Sequence, residues 1–118
     1  MHKGKKITGG KYIQSRKKKL FERPGQKVFL KLGNERRKSR KTKGGNLKTF
    51  LLGAKFVSIQ TKGKSKKAEI KNVVETPSNK FFARQNIITK GTILDTELGK
   101  VRVTNRPVQE GVVNGVLV

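Results

Sequence analysis

The sequence predicts an all-β protein: a small closed or partly open β-barrel of about six short strands, preceded by a long, basic and irregular extension. Two observations predict this class. From Asn46 onward, short apolar and β-branched runs alternate with turn residues at roughly even spacing, and no long amphipathic helical pattern occurs. Before that point, residues 1–45 hold seventeen Lys and Arg against two Glu, within a chain whose formal net charge is +23. We therefore divide the chain into a basic extension, residues 1–45, and a barrel domain, residues 46–118.

The extension has few branched apolar residues, so we expect it to be disordered when free and to bind RNA by laying cations along phosphates. A membrane fits less well, because no run of about 18 apolar residues occurs and no apolar stretch follows Lys6. A solvated tail or a localisation signal is the alternative. The cations of the extension that we predict to bind RNA are Lys3, Lys5, Lys6, Lys11, Arg16, Lys17, Lys18, Lys19, Arg23, Arg36, Arg37, Lys38, Arg40, Lys41 and Lys43.

Two glycine pairs, Gly9-Gly10 and Gly44-Gly45, lie among these cations. Residues without a Cβ let backbone amides approach phosphates and let the chain turn sharply. Such pairs are more often simple flexible joints, so the glycines alone do not identify a binding site.

The barrel domain begins with two predicted strands, residues 47–52 and 56–61, and Gly53 between them suggests a bend or bulge. A basic loop at residues 62–65 leads into a third strand, residues 68–74. Apolar and charged side chains alternate there, so one face is predicted to contact the core and the other to face solvent or RNA.

The next stretch, residues 78–86, fits either one helical turn or a loop at the barrel mouth, and we favour a turn. Residues 92–98 then place Leu94 and Leu98 on one face, and Gly99 opens a return strand, which predicts a hairpin. A last strand covers residues 112–118 and contains Asn114 and Gly115, which suggest a bulge or a close strand crossing. Closure into a barrel would protect the edges of these short strands.

The aromatic residues divide into two groups. Tyr12, Phe21 and Phe29 lie among cations and either stack on unpaired bases or pack the extension against the barrel. Phe50 and Phe56 lie in predicted strands, and we expect them in the core.

Catalytic chemistry finds little support. Cys is absent and the single histidine, His2, lies in the extension, which excludes disulfides, thiolate metal sites and a Ser-His-Asp triad. Asp95 and Glu97 share a predicted face and form either a metal-binding pair in an RNA-processing enzyme or an ordinary exposed strand opposite Lys100 and Arg102. We favour the second interpretation and predict no enzyme, no cofactor and no bound metal.

Several short motifs, each weak alone, are specific when taken together. They are Thr8-Gly9-Gly10 before a basic run, Lys43-Gly44-Gly45-Asn46 with Lys48, residues 86–91 (NIITKG), residues 101–107 (VRVTNRP) and residues 110–114 (EGVVN). On these motifs the chain resembles ribosomal protein family eight of the archaeal and eukaryotic small subunit over nearly its whole length. Its short length is similar to the archaeal members, because eukaryotic ones carry a long insertion.

The resemblance implies a small β-barrel with a basic extension, embedded in the small ribosomal subunit of the cytoplasm and without enzymatic activity. The implied partners are small-subunit ribosomal RNA and neighbouring ribosomal proteins, with no membrane and no small-molecule substrate. A ribosome-assembly factor with the same barrel is the alternative. The residues to which the resemblance carries RNA contact, besides the basic extension, are Thr8, Gly9, Gly10, Gly44, Gly45, Asn46, Lys48, Asn86, Lys90, Arg102 and Arg106.

Two departures from the family pattern affect local turns. Residues 19–25 do not end in the Glu-Leu-Gly that is typical of the family, and Val108 follows Pro107 where a Gly is expected. The turns at both places are therefore left open by the resemblance.

Overall fold

The computed structural model describes residues 4–13, 16–61 and 63–118. Lys3, a predicted RNA contact, and Lys62, in the predicted basic loop, lie outside the described residues. Besides single 3-10 turns at Leu20–Glu22 and Lys43–Gly45, the chain forms nine strands and two short α-helices within these ranges. In chain order they are β1 (Leu30–Leu32), β2 (Arg36–Lys41), β3 (Leu47–Ala54), β4 (Phe56–Thr61), β5 (Lys64–Glu75), α1 (Lys80–Arg84), β6 (Ile87–Ile88), β7 (Ile93–Thr96), β8 (Gly99–Val103), α2 (Pro107–Glu110) and β9 (Asn114–Leu117).

The predicted all-β barrel is confirmed. Five of the described strands close into a barrel in the order β4-β5-β7-β8-β9, with β9 returning to pair in parallel with β4. The remaining four form a sheet in the order β2-β3-β1-β6. The strand predicted at residues 47–52 therefore belongs to this second sheet rather than to the barrel.

One apolar core joins the barrel and the sheet. Along β4, Val57 and Ile59 are buried while their neighbours are exposed, as the alternation of a half-buried strand requires. Leu30 and Leu51, from the second sheet, pack in the same buried cluster. Full burial of each such side chain contributes roughly 1.5–3 kcal/mol, so the two layers stabilise each other.

Two glycines explain close backbone approaches. In the pairing of β2 with β3, the register jumps from Arg36 opposite Gly53 to Arg37 opposite Leu51, which is the bulge expected near Gly53. A Cβ on Gly53 would collide with the Asn34 carbonyl oxygen. At Gly115 a Cβ would lie 2.9 Å from the Arg102 carbonyl oxygen, which confirms the predicted close strand crossing.

The extension predicted at residues 1–45 contains more regular structure than its composition suggests. Strands β1 and β2 lie inside it and pair with β3, and Leu30 is fully buried. The division at residue 45, and disorder of the extension in the free chain, stay predictions. This regular structure forms in the predicted extension because β3 and β6 offer edges with which a short apolar run can pair.

Three predictions about individual side chains are wrong. Phe50 is half-buried rather than in the core, because it lies in the part of β3 that pairs with the exposed strand β2. Leu98 does not share the buried face of Leu94, because β7 ends at Thr96 and Leu98 lies in the hairpin turn with 48 % of its surface exposed. Phe56 is not in the core. It lies on the outward face of β4, on the side opposite to Val57, and is 41 % exposed.

Both α-helices are short, and residues next to them in sequence determine where they begin and end. The Asn79 side chain accepts a hydrogen bond from the Phe81 N–H (2.9 Å) and caps α1, which settles the ambiguous stretch 78–86 as a helical turn. Helix α2 starts at Pro107 and ends at Gly111, whose φ of 78° is left-handed. Among the described residues no helix is long and apolar enough to span a bilayer.

Candidate nucleic-acid interface

One exposed cationic element is a two-stranded ribbon made by β2, its turn and the first half of β3. We call residues 36–50 the basic ribbon. Every residue of β2 is exposed, and five of the six are Lys or Arg. At a rise of about 3.3 Å per residue, β2 alone spans roughly 20 Å. The radius of gyration of the whole chain is 19.3 Å, against about 13–14 Å for a compact domain of this length, so the protein is elongated.

The register of the basic ribbon places like charges directly opposite each other. Arg40 faces Lys48, and Lys38 faces Phe50, so these four side chains share one face. The Arg40 guanidinium and the Lys48 ammonium lie 6.0 Å and 5.9 Å from the Phe50 ring centroid. Like charges at opposed positions destabilise a strand pair. An anion that binds across both side chains would remove this repulsion.

The opposite face of the basic ribbon is also cationic. Arg37 and Lys41 alternate there with Ser39, whose hydroxyl lies 3.0 Å from that of Thr49 on β3. Cations on both faces allow phosphates to approach from two sides. The ribbon is therefore suited to lie between two strands of nucleic acid.

The turn of the basic ribbon depends on its glycine pair. Asn46 accepts hydrogen bonds through its carbonyl oxygen from the Thr42 N–H (2.7 Å) and hydroxyl (3.0 Å). Between them, Gly44 and Gly45 have φ values of 82° and 77°, a left-handed conformation that residues with a Cβ rarely adopt. The pair is thus required by the turn, which also holds the exposed Lys43 at its tip.

The described start of the extension forms a small hairpin. The Lys6 N–H donates to the Gly10 carbonyl (2.9 Å), and the Gly9 N–H donates to the Lys6 carbonyl (2.9 Å). The backbones of Lys5 and Lys11 form an isolated antiparallel β-bridge. Gly9 has a φ of 79°, as three-residue hairpin loops with a left-handed last residue require. Thr8 therefore lies at an exposed tip between cations.

Two arginines of the extension already have anionic partners: Arg37 pairs with Glu35, and Arg16 pairs with Glu22. Arg16 donates two hydrogen bonds to the Glu22 carboxylate (2.8 Å and 2.7 Å), and the Lys19 N–H donates a third (3.1 Å). These contacts hold the pKa of Glu22 below its usual range, mainly through Arg16. The pair closes a turn around residues 20–22, so Arg16 serves the local fold, while the exposed side chains of Lys17, Lys18, Lys19 and Arg23 surround it.

On the barrel, the predicted contacts lie in two places. Arg102 is exposed on the outer face of β8, opposite Ile93 on β7 and Val116 on β9. Lys90 is exposed in the turn of residues 89–92, where Gly91 has a φ of 83° and its N–H donates to the Val103 carbonyl (2.8 Å).

Arg106 lies beside a polar network that centres on Asn105. The Asn105 amide donates to the Glu110 carboxylate (2.9 Å) and to the Val112 carbonyl (2.8 Å), and its oxygen accepts from the Asn114 N–H (3.0 Å). The Arg106 N–H donates to Glu110 (3.1 Å), and its side chain is exposed. These bonds hold the pKa of Glu110 below its usual range, Asn105 contributing most and the charges of Lys90 and Arg106 adding to it.

Asn105 was not among the predicted site residues. Two features of the sequence could have indicated Asn105: its place in the run at residues 101–107, and Asn114 nine positions later. Its amide orders the loop that presents Arg106, so this part of the resemblance motif has a structural role.

Asn86 also has a structural role. Its φ of 52° is the one positive value outside glycine among the described residues. It ends α1, where its N–H donates to the Ala83 carbonyl (3.1 Å), and its own carbonyl accepts from the Leu32 N–H (3.0 Å). Asn tolerates the left-handed conformation better than most residues. RNA contact by its side chain stays a prediction.

The acidic pair is arranged as an ordinary hairpin. Asp95 lies opposite Lys100, as predicted, whereas Glu97 lies in the turn and Arg102 faces Ile93 instead. Within the described ranges, no three His, Cys, Asp or Glu side chains come close enough together to hold a metal ion.

The aromatic residues of the extension differ in their surroundings. Phe29 packs edge-on against Phe82, with ring centroids 5.3 Å apart, which is the predicted local-packing alternative. Tyr12 is 53 % exposed with the Lys6 ammonium 5.7 Å from its ring, and Phe21 is 80 % exposed. Stacking on bases therefore stays open for Tyr12 and Phe21.

Comparison with known proteins gives one consistent result. The family model described as ribosomal protein S8e matches residues 1–118. The small ribosomal subunit protein eS8 of Staphylothermus marinus is 47 % identical over 117 residues, which cover 96 % of this chain and 91 % of the relative. The eS8 proteins of Sulfurisphaera tokodaii (44 %; 97 % of this chain and 91 % of the relative) and Nanoarchaeum equitans (43 %; 95 % and 90 %) are similar over almost the same span. The chain therefore belongs to the ribosomal protein S8e family.

Proposed function

We propose that this protein is a structural constituent of the small ribosomal subunit that binds ribosomal RNA and has no enzymatic activity. It works in the cytoplasm, with small-subunit ribosomal RNA and neighbouring ribosomal proteins as partners. Family membership supports this proposal, because the relatives are named as small ribosomal subunit proteins. The charge of +23 supports it independently.

The observation that carries the proposal is the basic ribbon. Its cations lie on both faces, Arg40 and Lys48 oppose each other, and Glu35 is the nearest acidic residue in sequence. A ribbon of this kind binds RNA by replacing the counterions of phosphates on each side. The extension and the exposed Lys90, Arg102 and Arg106 of the barrel add further cations, and the guanidinium groups can each hold two acceptors.

The first experiment is quantitative mass spectrometry across a sucrose gradient of cell lysate washed at high salt. Near one copy of the chain per mature small subunit is the expected result. Presence only in precursor particles or free fractions would instead support the assembly-factor alternative and overturn the proposal.

A second experiment removes the cations of residues 1–28 and measures RNA affinity against salt. Each cation that binds a phosphate should, when it is removed, flatten the log-log slope by roughly 0.7–0.9. A chain that lacks residues 1–28 keeps β1 and the basic ribbon, and so tests the part of the extension before β1. An unchanged slope would show that residues 1–28 do not bind phosphate.

A further inference from the structure

A groove lies where the root of the basic ribbon meets the barrel. Its volume is about 210 Å³, and its lining includes Glu35 and Arg37 from the ribbon side, Lys55, Phe56 and Lys67 from the barrel, and Val112 from the loop after α2. Pockets for whole drug-sized ligands begin at roughly 300 Å³. The groove is therefore of a size for a small planar group rather than for a large ligand.

The aromatic ring in this groove is unusual in its surroundings. Phe56 is 41 % exposed on the outer face of β4, where burial does not explain it. The Lys67 ammonium lies 4.4 Å from its ring centroid and the Lys55 ammonium lies 5.9 Å away. Both ammonium groups lie over the ring, so they hold its π-surface in the free protein. A base that stacks on Phe56 therefore takes the place of the Lys67 side chain, and an aromatic ring next to cations is the combination that single-stranded nucleic acids bind.

The charges of the groove divide into paired and available groups. Lys55 is paired with Glu69 (3.0 Å), and Arg37 is paired with Glu35. Lys67 has no carboxylate within ion-pair distance among residues 4–13, 16–61 and 63–118. Its ammonium is therefore the cation best able to take a phosphate while a base lies on the neighbouring ring.

We propose that Phe56 is a stacking platform for one unpaired base of the RNA, with Lys67 holding the adjoining phosphate. The proposal rests on the proposed function and deepens it, because it assigns a single-stranded nucleotide to a defined groove. Continuity supports this occupant: Arg37 belongs both to the groove and to β2, so RNA that follows the basic ribbon arrives at Phe56.

The chain provides its own reporter, because it contains no Trp. In Phe56→Trp the introduced indole is the only one, and stacking of a base on it lowers its emission. The full-length variant is titrated with oligouridylate, with the same strand paired to oligoadenylate, and with inorganic polyphosphate, while anisotropy of a labelled strand reports binding. Emission should fall with the single strand and remain nearly constant with the duplex and with polyphosphate.

The outcomes separate this inference from the proposed function. Bound single-stranded RNA without loss of emission overturns the stacking platform and leaves RNA binding intact. An equal loss with polyphosphate also overturns it, because a polymer without bases cannot stack. Failure of the chain to bind any RNA overturns the proposed function together with this inference.

A pair of affinity measurements tests the two residues separately. Phe56→Ala should weaken binding to oligouridylate by roughly 5- to 150-fold at every salt concentration, because stacking releases no counterions. Lys67→Gln should instead flatten the salt slope by roughly 0.7. Phe81→Ala, an exposed aromatic on α1, is the matched control and should leave the affinity within twofold. An equal loss in Phe56→Ala and Phe81→Ala, or an unchanged affinity in Phe56→Ala, would refute the assignment.

Discussion

Neutralising one face of the basic ribbon is the most direct test of how this protein holds RNA. The variant Lys38→Gln/Arg40→Gln/Lys48→Gln removes three cations on the face of Phe50. Glutamine keeps an extended polar side chain at each position, so mainly the charge changes. Each phosphate-bound cation accounts for roughly 0.7–0.9 of the log-log salt slope. Removal of all three should therefore flatten the slope by about 2.1–2.7 and weaken binding about 50- to 170-fold at 0.15 M salt.

The assay is binding to small-subunit ribosomal RNA transcribed in vitro, measured over a series of salt concentrations. The matched control is Lys71→Gln/Lys80→Gln/Lys100→Gln, which removes the same charge from exposed positions on β5, α1 and β8. This control should change the slope by less than about 0.7, the value for a single phosphate-bound cation. An equal change in both triple variants would mean that binding follows net charge alone, and would refute a role for the ribbon's geometry.

Stability measurements show whether weaker binding reflects poorer folding. Arg40 and Lys48 repel each other in the free protein, while each also lies near the Phe50 ring. Removal of both charges deletes a repulsion and two weak attractions, so the free energy of unfolding should change by no more than about 0.5 kcal/mol. Thermal unfolding of Arg40→Gln/Lys48→Gln in the absence of RNA checks this value. A larger decrease would mean that the cations stabilise the fold.

Three further predictions concern the barrel. In urea unfolding, Gly115→Ala should lower the free energy of unfolding by roughly 1–3 kcal/mol, because the added Cβ would collide with the Arg102 carbonyl. The control is Gly25→Ala, whose Cβ has no neighbour within 4 Å; it should change the free energy of unfolding by less than about 0.5 kcal/mol. Asn105→Ala should cost roughly 1–3 kcal/mol in the same assay, since the variant cannot form the three hydrogen bonds of the Asn105 amide. The lowered pKa of Glu110 means that its contribution is present above the unfolded pKa of about 4.3 and is lost as pH falls through the folded pKa. Glu110→Gln should therefore flatten the acid side of a plot of melting temperature against pH; an identical slope in both proteins would contradict this assignment.

Local patterns predict much of the barrel. The strand expected at residues 56–61 is β4 without a change of boundary, and the buried positions Ala68 and Ile70 follow from strict alternation. The direction of Phe56 was predictable too: Val57 and Ile59 point inward, so Phe56 points outward. The preference of aromatic residues for cores gave the wrong answer because it ignored this parity.

The candidate site, too, could be predicted from the sequence only in part. Charge alone identifies the cations of β2, but it does not predict that Arg40 meets Lys48. That pairing depends on the turn at Lys43–Gly45 and on the bulge beside Gly53, which together fix the register between distant segments. Asn105 was missed for a related reason, since its partners Val112 and Asn114 approach it only after the chain has turned through α2.

The position of β9 affects how the chain can fold during synthesis. This strand, the last along the described chain, pairs with both β4 and β8, so the barrel stays open until residues 114–117 have left the ribosome that makes them. Until then β4 and β8 expose unpaired edges that can join strands of other chains. The cations of residues 4–48, by contrast, emerge before β4 and β8. If these cations bind RNA as proposed, that contact would keep the nascent chain soluble until β9 closes the barrel.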